Sequence, residues 1–342
     1  MNKRIIALIM ALVTLLCCFL PGCSQTDAPE TTEGKPKDIL QKSNPKEDDT
    51  LNILMIGSSF CYYYVEELYG MLSAAGIKAK VCNVYYSGCP LEKHWQWWKS
   101  GEANYDYYVT DDHGRVGVNG VSLEYCLMQE NWDVISLQEN TSRIFKTGAQ
   151  THLDNTQLYW QDLLNYLMEQ FPQSRMLWHQ PWTYQVEYGK ESVLMTAELQ
   201  EQYQKEIEDY AIGISNYFEG KVQRVNSGRA WQICRTKYGY DYLTCRQKSN
   251  SGKGDGSHDG DLGGGQYLNA CVWYEVITGK SCISNPYRPA YQISAALSDE
   301  LESKLKIAID GGNYVLTEEM VSILQNAAHE AVAMMGLETT EA

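Results

Sequence analysis

Leu51-Asn52-Ile53-Leu54-Met55-Ile56, closed by Gly57-Ser58-Ser59-Phe60, decides the fold of this chain. A short apolar run that ends on small turn residues reads as a strand followed by a tight turn. Residues 62–75 then carry Val65, Leu68, Leu72 and Ala75 at helical spacing, Gly76 stops that helix, and Ile77 to Tyr85 reads as a second strand. Strand, turn, helix, strand is the opening of a parallel α/β sheet. The alternation continues downstream. Strands are expected at 132–137, 175–179 and 221–225, with helices at 152–170, 191–218, 229–237 and 266–278. Residues 104–119 alternate around Asp112-His113-Gly114 and predict an inserted β-hairpin. About five strands interleaved with helices predict an α/β fold, a three-layer α/β/α sandwich around a central parallel sheet. Tyr287 to Ala342 is expected to cap it with helices at 292–309 and 317–335.

Upstream of Leu51 the chain changes character. Lys3 and Arg4 precede an apolar run from Ile5 to Leu20, and Leu20-Pro21-Gly22-Cys23 follows. A basic start, a short apolar stretch and small residues before a cysteine predict a secretory signal over 1–22 with lipidation at Cys23; an uncleaved anchor is the alternative. Residues 23–50 are polar and rich in Pro, Thr, Lys and acids, too poor in apolar side chains to offset the entropy of ordering, and predict a flexible tether. The folded part is then 51–342, outside the cytoplasm and attached to the membrane through its N-terminal lipid.

The formal charge is −15, and −17 without Lys3 and Arg4. An acidic chain with no basic run repels nucleic-acid backbones, so a nucleic-acid partner is disfavoured. Tyr (25) and Trp (9) outnumber Phe (5), which suits sugar-stacking surfaces and buried aromatic cores equally well. None of the eight cysteines beyond Cys23 sits in a C-x-x-C pair, so zinc-ribbon and thioredoxin chemistry lack support, and a local Cys234–Cys245 bridge is conceivable.

Ser59 stands just past the carboxyl end of the first strand, where α/β crevices form and where backbone N–H groups converge. Alone it reads as an ordinary helix cap. Far downstream, Asp255-Gly256-Ser257-His258 lets a carboxylate reach back to the imidazole within one turn of chain, fixing its tautomer while the other nitrogen takes a proton. A calcium loop of Asp255, Asp259 and Asp261 is the competing reading, but its spacing departs from the EF-hand pattern. There is no H-E-x-x-H and no paired-cysteine cluster, so neither metal nor cofactor is expected.

With these residues in place, the chain resembles the SGNH (GDSL-like) hydrolase superfamily, and within it a group of bacterial domains that open on an I-G-N-S-F-type block. The resemblance is carried by Ile56-Gly57-Ser58-Ser59-Phe60, by Ser87-Gly88-Cys89-Pro90-Leu91-Glu92, by Trp132 to Asn140, and by Asp255-Gly256-Ser257-His258 with Gly265-Gln266-Tyr267-Leu268 and Trp273-Tyr274-Glu275. These blocks fall in family order over about residues 51–282. The resemblance implies a flavodoxin-like fold and a cofactor-free serine esterase with Ser59 as nucleophile, His258 as general base and Asp255 orienting it. It also implies an oxyanion hole from the Ser59 N–H, the Gly88 N–H and a side-chain amide of the third block. The family's Gly-x-Asn-Asp is replaced there by Leu137-Gln138-Glu139-Asn140. Gln138, directly past the strand, is preferred as that amide, with Asn140 the alternative.

The implied substrate is a small-molecule or glycan ester, and an acetyl group on a sugar suits an exported chain. A glycan-binding lipoprotein with a remnant triad, or an acyltransferase using the same residues, would share these motifs. His94, Trp95 and Trp98, in the Trp-rich segment after the second block, are candidates for the substrate mouth, with a structural face as the equal alternative. His179 reads as a core histidine, and His113 and His152 as surface residues.

Overall fold

The structure, a computed structural model, describes residues 49–190, 193–247, 256–294 and 296–338. The expected signal, Cys23, most of the tether and Asp255 lie outside the described residues. The elements that matter are β1 (Leu51–Gly57), α1 (Val65–Ala74), β2 (Ala79–Tyr85), α2 (Leu91–Ser100), β3 (Tyr105–Asp111), β4 (Gly114–Val121), α3 (Leu123–Leu127), β5 (Val134–Gln138), α4 (Thr141–Thr147) and α5 (Ala149–Gln170). They continue with β6 (Arg175–His179), α6 (Ala197–Tyr217), β7 (Val222–Val225), α7 (Ser227–Thr236), α8 (Gly265–Thr278), β8 (Ala290–Gln292), α9 (Asp299–Lys304), β9 (Ile307–Asp310), β10 (Asn313–Leu316) and α10 (Glu318–Glu338). Among the described residues no helix is long and apolar enough to cross a membrane.

β1 lies inside the sheet because both its faces are apolar. Ile53 and Met55 enter one core, with Leu68, Leu72, Trp231, Trp273 and Leu324. Leu54 and Ile56 enter the other, with Trp98, Trp160, Leu163, Ile207 and Tyr210. That alternation is the period of two of a strand covered on both sides. The main sheet runs β4-β3-β2-β1-β5-β6-β7. Five neighbouring strands, β2, β1, β5, β6 and β7, are parallel, as the sequence predicts, and the β3–β4 hairpin extends the β2 edge in antiparallel sense.

The chain leaves β1 for β2 on one side and returns to β5 on the other, so strand order reverses between β1 and β5. Ligand crevices open at the carboxyl ends of strands at such a reversal. Here Gly57 ends β1 beside Gln138, which ends β5. A Cβ on residue 57 would lie 2.5 Å from Gln138 Cγ, so only glycine lets that side chain cross.

The C-terminal region departs from its expected all-helical form. Only α10 matches, burying Met320, Val321, Leu324, Ala327, Ala328 and Ala331. The predicted helix at 292–309 is replaced by a small antiparallel sheet of order β8-β10-β9 with α9 beside it. The cause is Gly311-Gly312, which joins β9 to β10 with both φ angles positive, +54° and +79°. Two such residues form the hairpin turn whose twist matches its strands. The cysteines differ as well: Cys234 and Cys245 are both buried free thiols, so the conceivable bridge is not made.

α1 buries Glu67 beside Tyr291 of β8, with Oε2 lacking a hydrogen-bond partner among the described residues. Burial pushes this carboxyl up from 4.5 to about 8. It is thus protonated in the folded chain at neutral pH, and unfolding lets it ionise. Its contribution to stability is complete below about pH 4.5 and is lost as pH rises through about 8. Wild type should therefore weaken relative to Glu67→Gln across that window, read from urea unfolding; parallel pH profiles would show that Glu67 does not titrate there.

Candidate active site

Ser59 opens a 3-10 turn, Ser59–Cys61, immediately after β1. Two anchors hold this turn: Asn83 of β2, fully buried, donates through Nδ2 to the Cys61 carbonyl at 2.5 Å, and the Cys61 thiol donates to the Ser58 carbonyl at 3.2 Å. The Ser59 hydroxyl lies 2.7 Å from Nε2 of His258, which arrives from the loop before α8. That loop is pinned as well. Trp182 Nε1 donates to the Ser257 carbonyl at 2.8 Å, and Gly260 N–H to the Leu243 carbonyl at 2.8 Å. Gly260 is pressed so closely that a Cβ there would sit 1.9 Å from the Cys245 oxygen. Beneath lie Trp182 and Trp231, stacked with ring centres 4.5 Å apart, and Phe60 packs between Trp182 and the His258 ring.

His258 Nδ1 lies 3.3 Å from the Ser257 hydroxyl, while Asp255, its expected partner, falls outside the described residues. The two other acids of the calcium reading face protein donors. Asp259 Oδ2 accepts from Asn269 Nδ2 at 3.1 Å, and Asp261 Oδ1 accepts the Gln247 and Leu262 N–H groups. Burial pushes the Asp259 carboxyl up to about 6. Elsewhere among the described residues, Asp111, Asp112 and His113 of the β3–β4 turn are close enough to share a cation, and they face solvent or lie half-buried.

The third block is reordered relative to its sequence reading. Gln138, the preferred oxyanion donor, is buried and gives an Nε2 hydrogen to Ser58 Oγ at 3.1 Å, not to the Ser59 side of the turn. Its Oε1 lies 3.3 Å from His179 Nδ1, and His179 Nε2 lies 3.2 Å from Ser227 Oγ. An amide oxygen only accepts, so Nδ1 carries the proton and Nε2 accepts from the serine. Burial holds His179 neutral, pushing it down to about 3, as befits the core histidine the sequence suggests.

Asn140, the alternative, stands at the mouth. Its Nδ2 donates to the Gly88 carbonyl at 3.2 Å, while Oδ1 caps α4 through Ser142 N–H and Oγ. Gly88 sits in the exposed turn after β2, tied to β1 by Tyr86 N–H donating to the Gly57 carbonyl at 3.3 Å. The structure thus gathers Ser59, Gly88, Asn140 and His258 at one end of the sheet and turns Gln138 inward.

Glu139 holds that arrangement and was not singled out from sequence. Its Oε1 accepts from Leu91 N–H, at the start of α2, and from Asn140 N–H at 2.6 Å; its Oε2 pairs with His152 Nε2 at 3.1 Å. His152, expected at the surface, is buried on α5 in this pair. One carboxylate therefore ties the second block, the third block and α5 together.

The proposed substrate mouth on α2 also needs correction. His94 is fully buried, stacked on Tyr105 and pushed down to about 3 by burial. Trp95 donates to Asp162 of α5 at 3.0 Å, and Trp98 packs on Tyr166 of the same helix. All three serve packing. The rings next to the Ser59 turn are instead tyrosines: Tyr62 and Tyr63 follow it directly, half-buried, and Tyr85 packs on Tyr62.

Removing Glu139 should be costly, because Glu139→Ala strands two backbone N–H groups and a buried imidazole. A loss of about 3 kcal/mol in urea unfolding is expected. A change below about 0.5 kcal/mol would mean that the pair is not formed in solution.

The profile of DUF4886, a domain of unknown function, matches residues 52–300. The chain is similar to the crystal structure of a DUF4886 family protein from Bacteroides uniformis ATCC 8492, at 25% identity and a TM-score of 0.66, over 83% of this chain and 95% of that one. It is similar more distantly to a lipase/acylhydrolase from Enterococcus faecalis, at 12% identity and a TM-score of 0.43 over 67% and 96% of the two chains. An acetyl xylan esterase aligns at 13% identity and a TM-score of 0.42 over 66% and 100%. No curated protein sequence matches.

Proposed function

The chain belongs to the DUF4886 family, and on that premise we propose that it is a serine ester hydrolase acting through an acyl-enzyme. The observation that carries this reading is the 2.7 Å contact between Ser59 Oγ and His258 Nε2 at a strand-order reversal. In the proposed cycle His258 Nε2 accepts the Ser59 proton as Oγ attacks the ester carbonyl. The developing oxyanion is held by the Ser59 and Gly88 N–H groups and by the Asn140 amide. His258 then returns its proton to the departing alcohol, and a water molecule, deprotonated by the same nitrogen, releases the acid. Asp255 would orient the imidazole from the Nδ1 side.

Asn140 takes the oxyanion role ahead of Gln138 because its amide adjoins Gly88, whereas Gln138 is spent on Ser58. The tyrosines flanking Ser59 support an ester carried on a sugar, since flat rings with polar edges suit pyranose faces. The leader-like 1–23 segment supports action outside the cytoplasm on a lipid anchor at Cys23.

Ser59→Ala should lose at least about 1000-fold of 4-nitrophenyl acetate turnover and all labelling by a fluorophosphonate probe, with unchanged circular dichroism. Full turnover in that variant would sink the proposal. Asn140→Ala should lower kcat about 100-fold with KM nearly constant, the signature of a contact made in the transition state. A raised KM with kcat unchanged would instead assign Asn140 to ground-state binding.

A further inference from the structure

Two cations lie on the tyrosines that follow the Ser59 turn, with no acid in ion-pair contact among the described residues. Arg115, at the start of β4, lays its guanidinium 3.9 Å from the ring centre of Tyr62, and Arg246 lies 4.0 Å from that of Tyr63. These tyrosines follow the Ser59–Cys61 turn directly, and the Tyr63 ring is 5.4 Å from that of His258. Among the described residues neither arginine has a carboxylate in ion-pair contact, whereas Arg229, Arg235 and Arg288 pair with Glu208, Asp241 and Glu318. Arg175 too is held by neutral acceptors alone, at the Ile277 and Val276 carbonyls and Gln223, so what sets Arg115 and Arg246 apart is their place on Tyr62 and Tyr63.

Both are held by neutral groups. Arg115 Nη2 donates to Asn83 Oδ1 at 3.4 Å, the same Asn83 that anchors the nucleophile turn, and its Nε is buried with no partner. Arg246 spends Nε and Nη2 on the Asp259 carbonyl, at 3.2 and 3.0 Å. Asp259 and Asp261 lie within its field, but both point their carboxylates to other donors. A carbonyl and an aromatic face immobilise a guanidinium without cancelling its charge. Each arginine therefore keeps N–H groups to offer, already oriented, which suits planar oxyanions. An acidic protein repels anions in general, so local cations are what such a substrate would require.

We propose that the ester taken at Ser59 is borne by an acidic sugar, and that Arg115 and Arg246 bind its carboxylate. This rests on the serine-esterase reading and adds the class of substrate. The β3–β4 hairpin then has a use beyond lengthening the sheet, because it delivers Arg115 to the mouth.

Acetate release should be compared on an acetylated oligogalacturonide and an acetylated xylo-oligosaccharide. Wild type should favour the acidic ester in kcat/KM by at least about tenfold, with the preference shrinking toward parity in about 0.5 M sodium chloride. Arg115→Gln and Arg246→Gln should each cut the acidic-to-neutral ratio about tenfold, and Arg115→Lys should restore part of it. Reading a ratio within one protein cancels any loss of folded enzyme. A wild-type ratio near one, or a ratio that neither variant moves, overturns the inference while Ser59-dependent hydrolysis of the neutral ester leaves the esterase reading intact. If wild type cuts neither ester, calorimetry of the acidic oligosaccharide with Ser59→Ala tests the anion site. Binding weakened by Arg115→Gln supports the anion site, and no binding overturns the acidic-sugar inference while the esterase reading is decided by Ser59-dependent 4-nitrophenyl acetate turnover.

Discussion

The Ser59 hydroxyl and the His258 imidazole come from positions 199 residues apart in the chain and meet at hydrogen-bond distance. A proton passes between such groups only if neither has to search for the other, so the energetics lie in what restrains each side. On the serine side the restraint is β1 itself, backed by Asn83 on the following turn. On the histidine side it is an indole N–H gripping the loop and a glycine packed against the Leu243–Cys245 backbone. Phe60 touches both, so the two halves share one aromatic floor. A shift in that floor would move His258 and Ser59 together.

Much of the fold was legible because burial on both faces writes itself as uninterrupted apolar runs. β1, β5 and β6 come close to such runs, whereas β2 carries Lys80 and Asn83 and β7 reads Val-Gln-Arg-Val, so these two were legible from the alternation of strands with helices. The C-terminal sheet was not legible. Its strands are three or four residues long and β8 and β9 are largely exposed, so they leave too short a periodic trace, and the Gly311-Gly312 turn is the clearest local sign. Ser59 and His258 were paired in the sequence by order and spacing of motifs, and the structure sets their side chains 2.7 Å apart. The inward turn of Gln138 was not foreseen although strand alternation held a clue. Val134 and Gln138 share a parity along β5, and Val134 faces the core that contains α1, α7 and α8. That side of the strand leads to His179, not to the open turn at Gly88.

Histidines show why residue type alone misleads. His94 and His179 are buried with neutral partners and are held uncharged. His152 is buried too, but against a carboxylate that also collects two backbone donors. Nothing in the local sequence around these three distinguishes them, because the partners come from other elements: Tyr105, Gln138 and Glu139. Buried polar groups are costly unless every member is satisfied, which gives these networks authority over backbone position out of proportion to their size. Glu139 is the clearest case, since it sets where Asn140 begins α4.

The eight cysteines among the described residues are all buried and unbonded, and burial raises the thiols of Cys61, Cys82 and Cys245 to about 12. Oxidants and thiol-exchange catalysts act on exposed thiolate, and these side chains present neither its charge nor its surface. They behave as small alkyl groups. The folded domain is thereby shielded from the redox poise of its surroundings for as long as its native packing holds, and unfolding is what would expose these thiols to exchange.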